Sequence, residues 1–158
     1  MHAIVDDSVL LTRLAPGHRL AHLMREYERN YERLQFLVPE LRQLCGCSVS
    51  HAEAEPDLYL EVLDQAAYTT TMVLTYALEI DGTHQPEPDV QVRVYHDARM
   101  AEVLAVRELG PSGRFGWCPL RQSAMSRKWR FNRFLGKWLA YCLQQGHGQF
   151  ERLAPSSA

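Results

Sequence analysis

Residues 58–80 read LYLEVLDQAAYTTTMVLTYALEI, and their periodicity decides the fold. Leu58, Leu60 and Val62 alternate with Tyr59, Glu61 and Leu63. Beyond a turn near Ala66–Ala67, Met72, Leu74, Tyr76, Leu78 and Ile80 alternate with Thr71, Val73, Thr75 and Glu79. A period of two places apolar residues on one face of a strand, and Thr, Val and Tyr suit a pleated surface. Downstream, Val90, Val92 and Val94 alternate with Gln91, Arg93 and Tyr95, and a further strand is expected near Ala101–Glu108. Asp81-Gly82 with Pro86 and Pro88 reads as a loop. Connections this short cannot hold a crossover helix, so the strands pair antiparallel.

Helical periodicity flanks this block. From His18 to Val38, Leu20, Leu23, Met24, Tyr27, Tyr31, Leu34 and Leu37 recur at three- and four-residue steps. Arg25, Glu26, Arg29, Glu32 and Arg33 occupy the other face, giving one apolar stripe against a solvated side. Pro39 ends this helix or opens a short turn running to Leu44, and Gly46 releases the chain. Near the other end, Ser126 is placed to cap a helix lined by Trp129, Phe131, Asn132, Phe134, Leu135, Trp138, Leu139 and Cys142 and closed by Gly146. Between them, 109–124 hold Gly110, Pro111, Gly113, Gly116 and Pro119 and read as a long loop. The expectation is an α+β fold. A four- to five-stranded antiparallel sheet is covered on one face by the N-terminal and C-terminal helices. A loose N-terminus over 1–17, one domain over 18–148 and a flexible tail over 149–158 complete it.

The chain has 158 residues, of which 46% are hydrophobic and 23% charged, which suits one soluble domain. No apolar run reaches the ~20 residues of a membrane span. Asp6 and Asp7 stand where a signal peptide would be apolar, so a cytoplasmic location is expected. Cys45 and Cys47 are one residue apart, with Cys118 and Cys142 distant, which is not zinc-ligand spacing. Reduced, partly buried thiols and no metal are expected. His18, His22 and Glu26 step by four on the first helix, but no third element marks a ligand, and an exposed helix face is the stronger reading.

Charge is unevenly placed. Residues 1–108 hold eighteen carboxylates against nine Lys/Arg, a net −9. No acid follows Glu108 until Glu151, whereas 109–150 carry Arg114, Arg121, Arg127, Lys128, Arg130, Arg133 and Lys137, a net +7. Arg114, Phe115, Trp117 and Arg121, then Arg127, Lys128, Trp129, Arg130 and Phe131, interleave cations with aromatics. Such a pattern suits a nucleotide or single-stranded nucleic acid, but the overall pI of 6.4 argues against it. Neutralisation of the acidic body across an internal interface is the stronger reading.

The polar cluster Tyr95–His96–Asp97–Ala98–Arg99 is the other candidate. Strand alternation puts His96 at the rim of the core with Val94, and Tyr95 with Arg93 on the opposite face. Adjacent strand residues point apart and cannot form a relay, so a turn Asp, a bonded rim His and an ion pair are favoured over a catalytic edge. Neither a Gly-x-Ser-x-Gly elbow nor a phosphate-binding glycine loop is present.

Four blocks carry a family resemblance: YERNYERLQFLVPEL at 27–41, YLEVLDQAAYTTTMVL at 59–74, VQVRVYHDARMAEV at 90–103 and KWRFNRFLGKWLAYCLQQG at 128–146. Together they resemble the YqiB-like family of small bacterial proteins, a domain of unknown function. The resemblance implies a cytoplasmic single domain and supplies no reaction, cofactor or catalytic residue. Its members are often encoded near enzymes of nucleotide metabolism, which assigns no chemistry to any residue. This chain departs from the pattern ahead of the last helix. Ser123 stands where a histidine is usual, and Ser126 with Arg127 replaces an acidic pair before Lys128.

A non-enzymatic binding or regulatory module with a protein partner is therefore expected, with no cofactor and no membrane. The alternative is a nucleotide- or nucleic-acid-binding protein or small enzyme with a pocket between 93–99 and the loop 109–128. The candidate surface comprises Arg93, Tyr95, His96, Asp97, Arg99, Arg114, Arg121, Arg127, Lys128 and Arg130.

Overall fold

A computed structural model describes residues 15–80 and 83–154. Helix α1 spans Pro16–Leu37, and a 3-10 turn follows at Leu41–Gln43. Strands β1 (Gly46–Ser50), β2 (Asp57–Gln65), β3 (Thr69–Ile80), β4 (Thr83–Tyr95), β5 (Met100–Leu109) and β6 (Phe115–Pro119) come next. Helix α2 spans Met125–Gln144, and β7 covers Phe150–Arg152. The strands form one antiparallel sheet in the order β6-β5-β4-β3-β2-β1-β7.

The α+β architecture agrees with the sequence reading, but the sheet has seven strands among the described residues, not four or five. The three additions are short or hidden in unpromising composition. β1 is GCSVS, β6 is FGWCP inside the segment read as a loop, and β7 pairs with β1 inside the stretch read as a tail. The proline loop before Val90 is also strand. β5 pairs with β4 only from Val90 onward, so among the described residues 83–89 of β4 pair on one side alone, against β3, and proline is tolerated on such an edge and at the bulge there. Residues 81 and 82, the core of the expected turn, lie outside the described residues.

One face of the sheet carries the core. Leu58, Leu60, Met72, Leu74, Tyr76, Val90, Val92, Val94 and Val103 pack with Leu34 and Leu37 of α1, with Val38 just after it, and with Leu135, Trp138 and Leu139 of α2. At about 25 cal/mol per Å2 of apolar surface, each fully buried side chain of this kind contributes roughly 1.5–3 kcal/mol. The opposite face, with Gln91, Arg93 and Tyr95 of β4, is half-exposed.

Where α1 and α2 meet, the pattern departs from the expected stripe. Leu20 and Met24 are exposed, whereas Glu26 and Asn30 are buried. The reason lies in the partner helix. His22 meets Trp129, Glu26 meets Arg133, Asn30 meets Asn132, and Arg33 lies beside Gly136, so the helices run in the same direction. Glu26, only 1% exposed, accepts from Arg29 at 3.1 Å and Arg133 at 3.4 Å through Oε1. Buried carboxylates persist only with such partners. Gly136 permits the approach: a Cβ there would sit 2.5 Å from Arg33 Nη1. Burial in turn lowers the Arg33 pKa below its ordinary value.

Helix α2 begins at Met125 with Ala124 in the capping position and no side-chain cap bond, so Ser126 lies inside the first turn and does not cap. Cys142 is buried and its thiol is pushed up to about 11 by desolvation, while Cys45 and Cys47 are exposed, contrary to the partly buried thiols expected.

Candidate functional site

The ten residues singled out from sequence separate into three places. His96 faces the helices and is buried. Its Nε2 lies 2.7 Å from Thr70 Oγ1, and that hydroxyl donates to Gln65 Oε1 at 2.6 Å. The Thr70 proton being committed, His96 Nε2 is the donor in the first bond. Gln65 Nε2 then donates to Leu41 O at 2.8 Å, tying the 3-10 turn to the sheet. This is a structural chain, with the histidine at the core rim as the alternation implied. Asp97 is exposed in the β4–β5 turn. Arg99 holds a left-handed backbone at φ 56 and lays its guanidinium 5.0 Å over the Tyr31 ring of α1, so that turn is clasped to the helix.

Arg93 and Tyr95 lie on the face opposite the core and are half-exposed. Arg93 Nε donates to Thr71 Oγ1 at 3.1 Å, and Tyr95 donates to Glu102 Oε1 at 2.6 Å. Tyr27 of α1 reaches the same carboxylate. Burial first, then Glu102, raises the pKa of both phenols, so each stays protonated as a donor. Beside them Asp89 accepts from Thr75 at 2.9 Å and faces Arg107 at 3.5 Å. The sheet separates this array from His96, so Arg93, Tyr95 and His96 do not share a pocket.

The basic group sits at the β6 end of the sheet. Arg127 Nη2 donates to Glu108 Oε2 at 2.7 Å, which docks the first turn of α2 on the end of β5. Arg127 and Arg130 cover the Phe131 ring at 5.1 and 4.9 Å. Lys128 is half-buried, and its carbonyl accepts from Asn132. Arg114 and Arg121 are exposed at either end of β6. Replacing Arg127 and Arg130 together by Glu should destabilise the protein by about 1 kcal/mol, because a half-exposed ion pair becomes a like-charge pair and Phe131 loses its cover. Denaturant midpoints at low and high salt check this. An unchanged midpoint would return both arginines to the role of free surface.

What the sequence left in a loop is the most exposed apolar surface of the sheet edge. Leu109 pairs with Phe115 and Arg107 with Trp117 across the β5–β6 hairpin, on the face opposite the core. Leu109 is 61%, Phe115 63% and Trp117 43% exposed. The signal was present as Phe115 and Trp117 alternating with Gly116 and Cys118, but glycine and proline on both sides outweighed it. The result is an exposed apolar cluster beside Arg107 at a sheet edge.

No group of three His, Cys, Asp or Glu is placed to hold a metal among the described residues. His18 is exposed, His22 packs edge-on to Trp129, and Glu26 is buried rather than on a solvated face. No described helix is long and apolar enough to cross a membrane.

His96 and His147 share one electrostatic property. Burial lowers the pKa of each below about 6.5, and for His147 the pull of Glu55 only partly offsets it. His147 Nδ1 lies 3.0 Å from Ser50 Oγ, which also accepts from Gly148 N. The unfolded chain takes up these protons near pH 6.5, the folded chain only at lower pH. Their contribution is therefore complete above about pH 6.5 and is lost as pH falls toward the folded values, with a slope of at most about 1.4 kcal/mol per pH unit per group. The melting temperature should fall between about pH 7 and pH 5.5, and His147→Gln should flatten that fall. An identical pH profile in wild type and variant would remove His147 as a source.

The family described as "Protein of unknown function (DUF1249)" matches residues 33–148. The chain is 29% identical over 125 residues to Uncharacterized protein YqiB of Escherichia coli strain K12, spanning 78% of this chain and 88% of that protein. The same values hold for YqiB of Escherichia coli O157:H7. No solved structure matches the chain.

Proposed function

The chain belongs to the DUF1249 family, and on that footing we propose that it is a non-enzymatic binding module that takes a protein partner on the β5–β6 hairpin. The observation carrying this reading is the exposed cluster of Leu109, Phe115 and Trp117 beside Arg107. Large aromatics in water have an unfavourable exposure that a partner relieves, and Trp and Arg are the residues most often at the energetic centre of an interface. The adjoining array of Tyr95, Glu102, Arg93 and Thr71 is engaged in its own bonds, which favours recognition over proton transfer.

The test immobilises the full chain and a Phe115→Ser/Trp117→Ser variant and compares what each retains from a native lysate. A protein retained by the wild type should be lost from the variant while the melting temperature holds, since surface changes usually alter stability by under ~0.5 kcal/mol. Retention by both would place the partner elsewhere. A saturable thermal shift with nucleotides, insensitive to the double substitution, would favour the nucleotide-binding alternative.

A further inference from the structure

β6 is one of the two terminal strands of the sheet, and nothing among the described residues pairs with its outer side. Native edges are normally guarded by charge or by extreme shortness, because a free row of N–H and C=O groups templates another strand. Here the five residues FGWCP carry no charge, and the one proline, Pro119, stands at the last position and leaves the rest of the edge free to pair. Pairing fixes which backbone groups are free. Leu120 N bonds inward to Leu104 O, and Arg114 O accepts inward from Gly110 N. Alternation along an antiparallel strand then turns Gly116 and Cys118 inward, and Phe115, Trp117 and Pro119 outward. The outward set is two N–H donors, from Phe115 and Trp117, and three carbonyls. Pro119, which has no N–H, falls in the outward set, so the inner ladder loses nothing.

The side chains add a preference. Phe115 and Trp117 project from the same face as Leu109 and offer two apolar positions spaced as alternate residues of a neighbouring strand. Exposed Arg114 precedes β6, and exposed Arg121 lies two residues beyond it. No carboxylate lies between Leu109 and Phe150, and Glu108 is already paired with Arg127. Cations at both ends, with the nearby acids Glu108 and Asp89 each already facing an arginine, select against a basic strand and for an acidic one.

We propose that the outer edge of β6 takes an extended acidic peptide segment of a partner protein as an eighth strand, with its alternate apolar side chains on Phe115 and Trp117. This rests on the binding-module reading and specifies its partner: main-chain bonds give affinity, the aromatic pair gives register, and Arg114 with Arg121 gives the charge preference.

The probe is a fluorescein-labelled heptapeptide alternating valine and glutamate, titrated against the full chain by anisotropy. It should bind about tenfold or more tightly than the valine–lysine counterpart, a difference of about 1.4 kcal/mol. Its backbone N-methylated analogue, which keeps the side chains but cannot donate to the ladder, should lose at least about tenfold. Affinity should fall with salt, and Arg114→Glu/Arg121→Glu should remove the preference over lysine with the melting temperature unchanged. Equal binding of the lysine or N-methylated peptide overturns the proposal. So does dimerisation in sedimentation that Trp117→Pro abolishes, which would make a second copy the occupant. If no peptide binds, yet lysate capture still depends on Phe115 and Trp117, strand addition falls and the hairpin surface stands. If capture is also independent of them, both fall.

Discussion

Trp138→Ala should cost about 3–5 kcal/mol, the range for deleting a buried aromatic whose cavity cannot collapse. Trp138 is 1% exposed. Its ring stands edge-on to Tyr76 of β3 at 5.5 Å and stacks on Phe134 of α2 at 6.0 Å. Aliphatic neighbours Leu135 and Leu139 fill the same cluster. Tyr76 is itself fixed, receiving a bond from the Cys142 thiol at 3.3 Å and lying 5.6 Å from the His147 ring. Because strand and helix side chains pack on the Trp138 ring, and the segment after the helix holds Tyr76 in turn, none can move into the void without breaking another contact. A single domain is stable by only about 5–15 kcal/mol, so the loss is a large fraction of the whole. Urea unfolding measures it. A midpoint within error of wild type would mean that α2 is not docked through this side chain.

Asn132→Ala should be the costliest polar substitution, at about 3 kcal/mol. Asn132 is fully buried on α2. Its Oδ1 accepts from Val103 N at 3.0 Å, and its Nδ2 donates to Lys128 O at 2.8 Å. The carbonyl of the same residue accepts from Asn30 Nδ2 at 3.1 Å, which joins α1 to the pair. The need for the amide comes from the sheet. β6 pairs with β5 only over 105–109, so Val103 has a main-chain N–H facing the helices with no strand to receive it. Alanine would leave that donor buried and unmet, which costs more than the bond itself gains. Equilibrium unfolding gives the size of the loss. Amide exchange gives its location: the Val103 N–H should exchange faster than its β5 neighbours in the variant. A loss under about 1 kcal/mol, or uniform acceleration across the sheet, would sink this account.

Much of the fold is legible in the sequence. The 3.6-residue period marks α1 and α2, and the two-residue period marks β2, β3 and the second half of β4, with β5 expected as the strand that follows them. These segments are long enough for periodicity to outweigh individual residues. That Trp129, Phe134 and Trp138 would face the core also followed, because a wide apolar arc on one helix has no other place to go. Alternation alone puts His96 and Tyr95 on opposite faces, and in the structure His96 is buried on the core side while Tyr95 is half-exposed on the other.

The sequence by itself determined the element types, the antiparallel pairing of the central strands and the uneven charge, because these depend on local spacing and on counts. Only the tertiary structure decided the rest. β1, β6 and β7 exist because a neighbouring strand accepts their backbone bonds, and over three to five residues an alternation such as that of Phe115 and Trp117 is too short to outweigh the glycines and prolines around it. Glu26 and Asn30 are buried because the second helix brings Arg133 and Asn132 to them. Arg127 is an internal partner because the end of β5 delivers Glu108 to it, while Arg114 and Arg121 lie in exposed positions flanking the sheet edge. A partner more than a hundred residues away, as for Glu26 and Arg133, leaves no periodic trace in the chain, and pairing across that distance is set by packing.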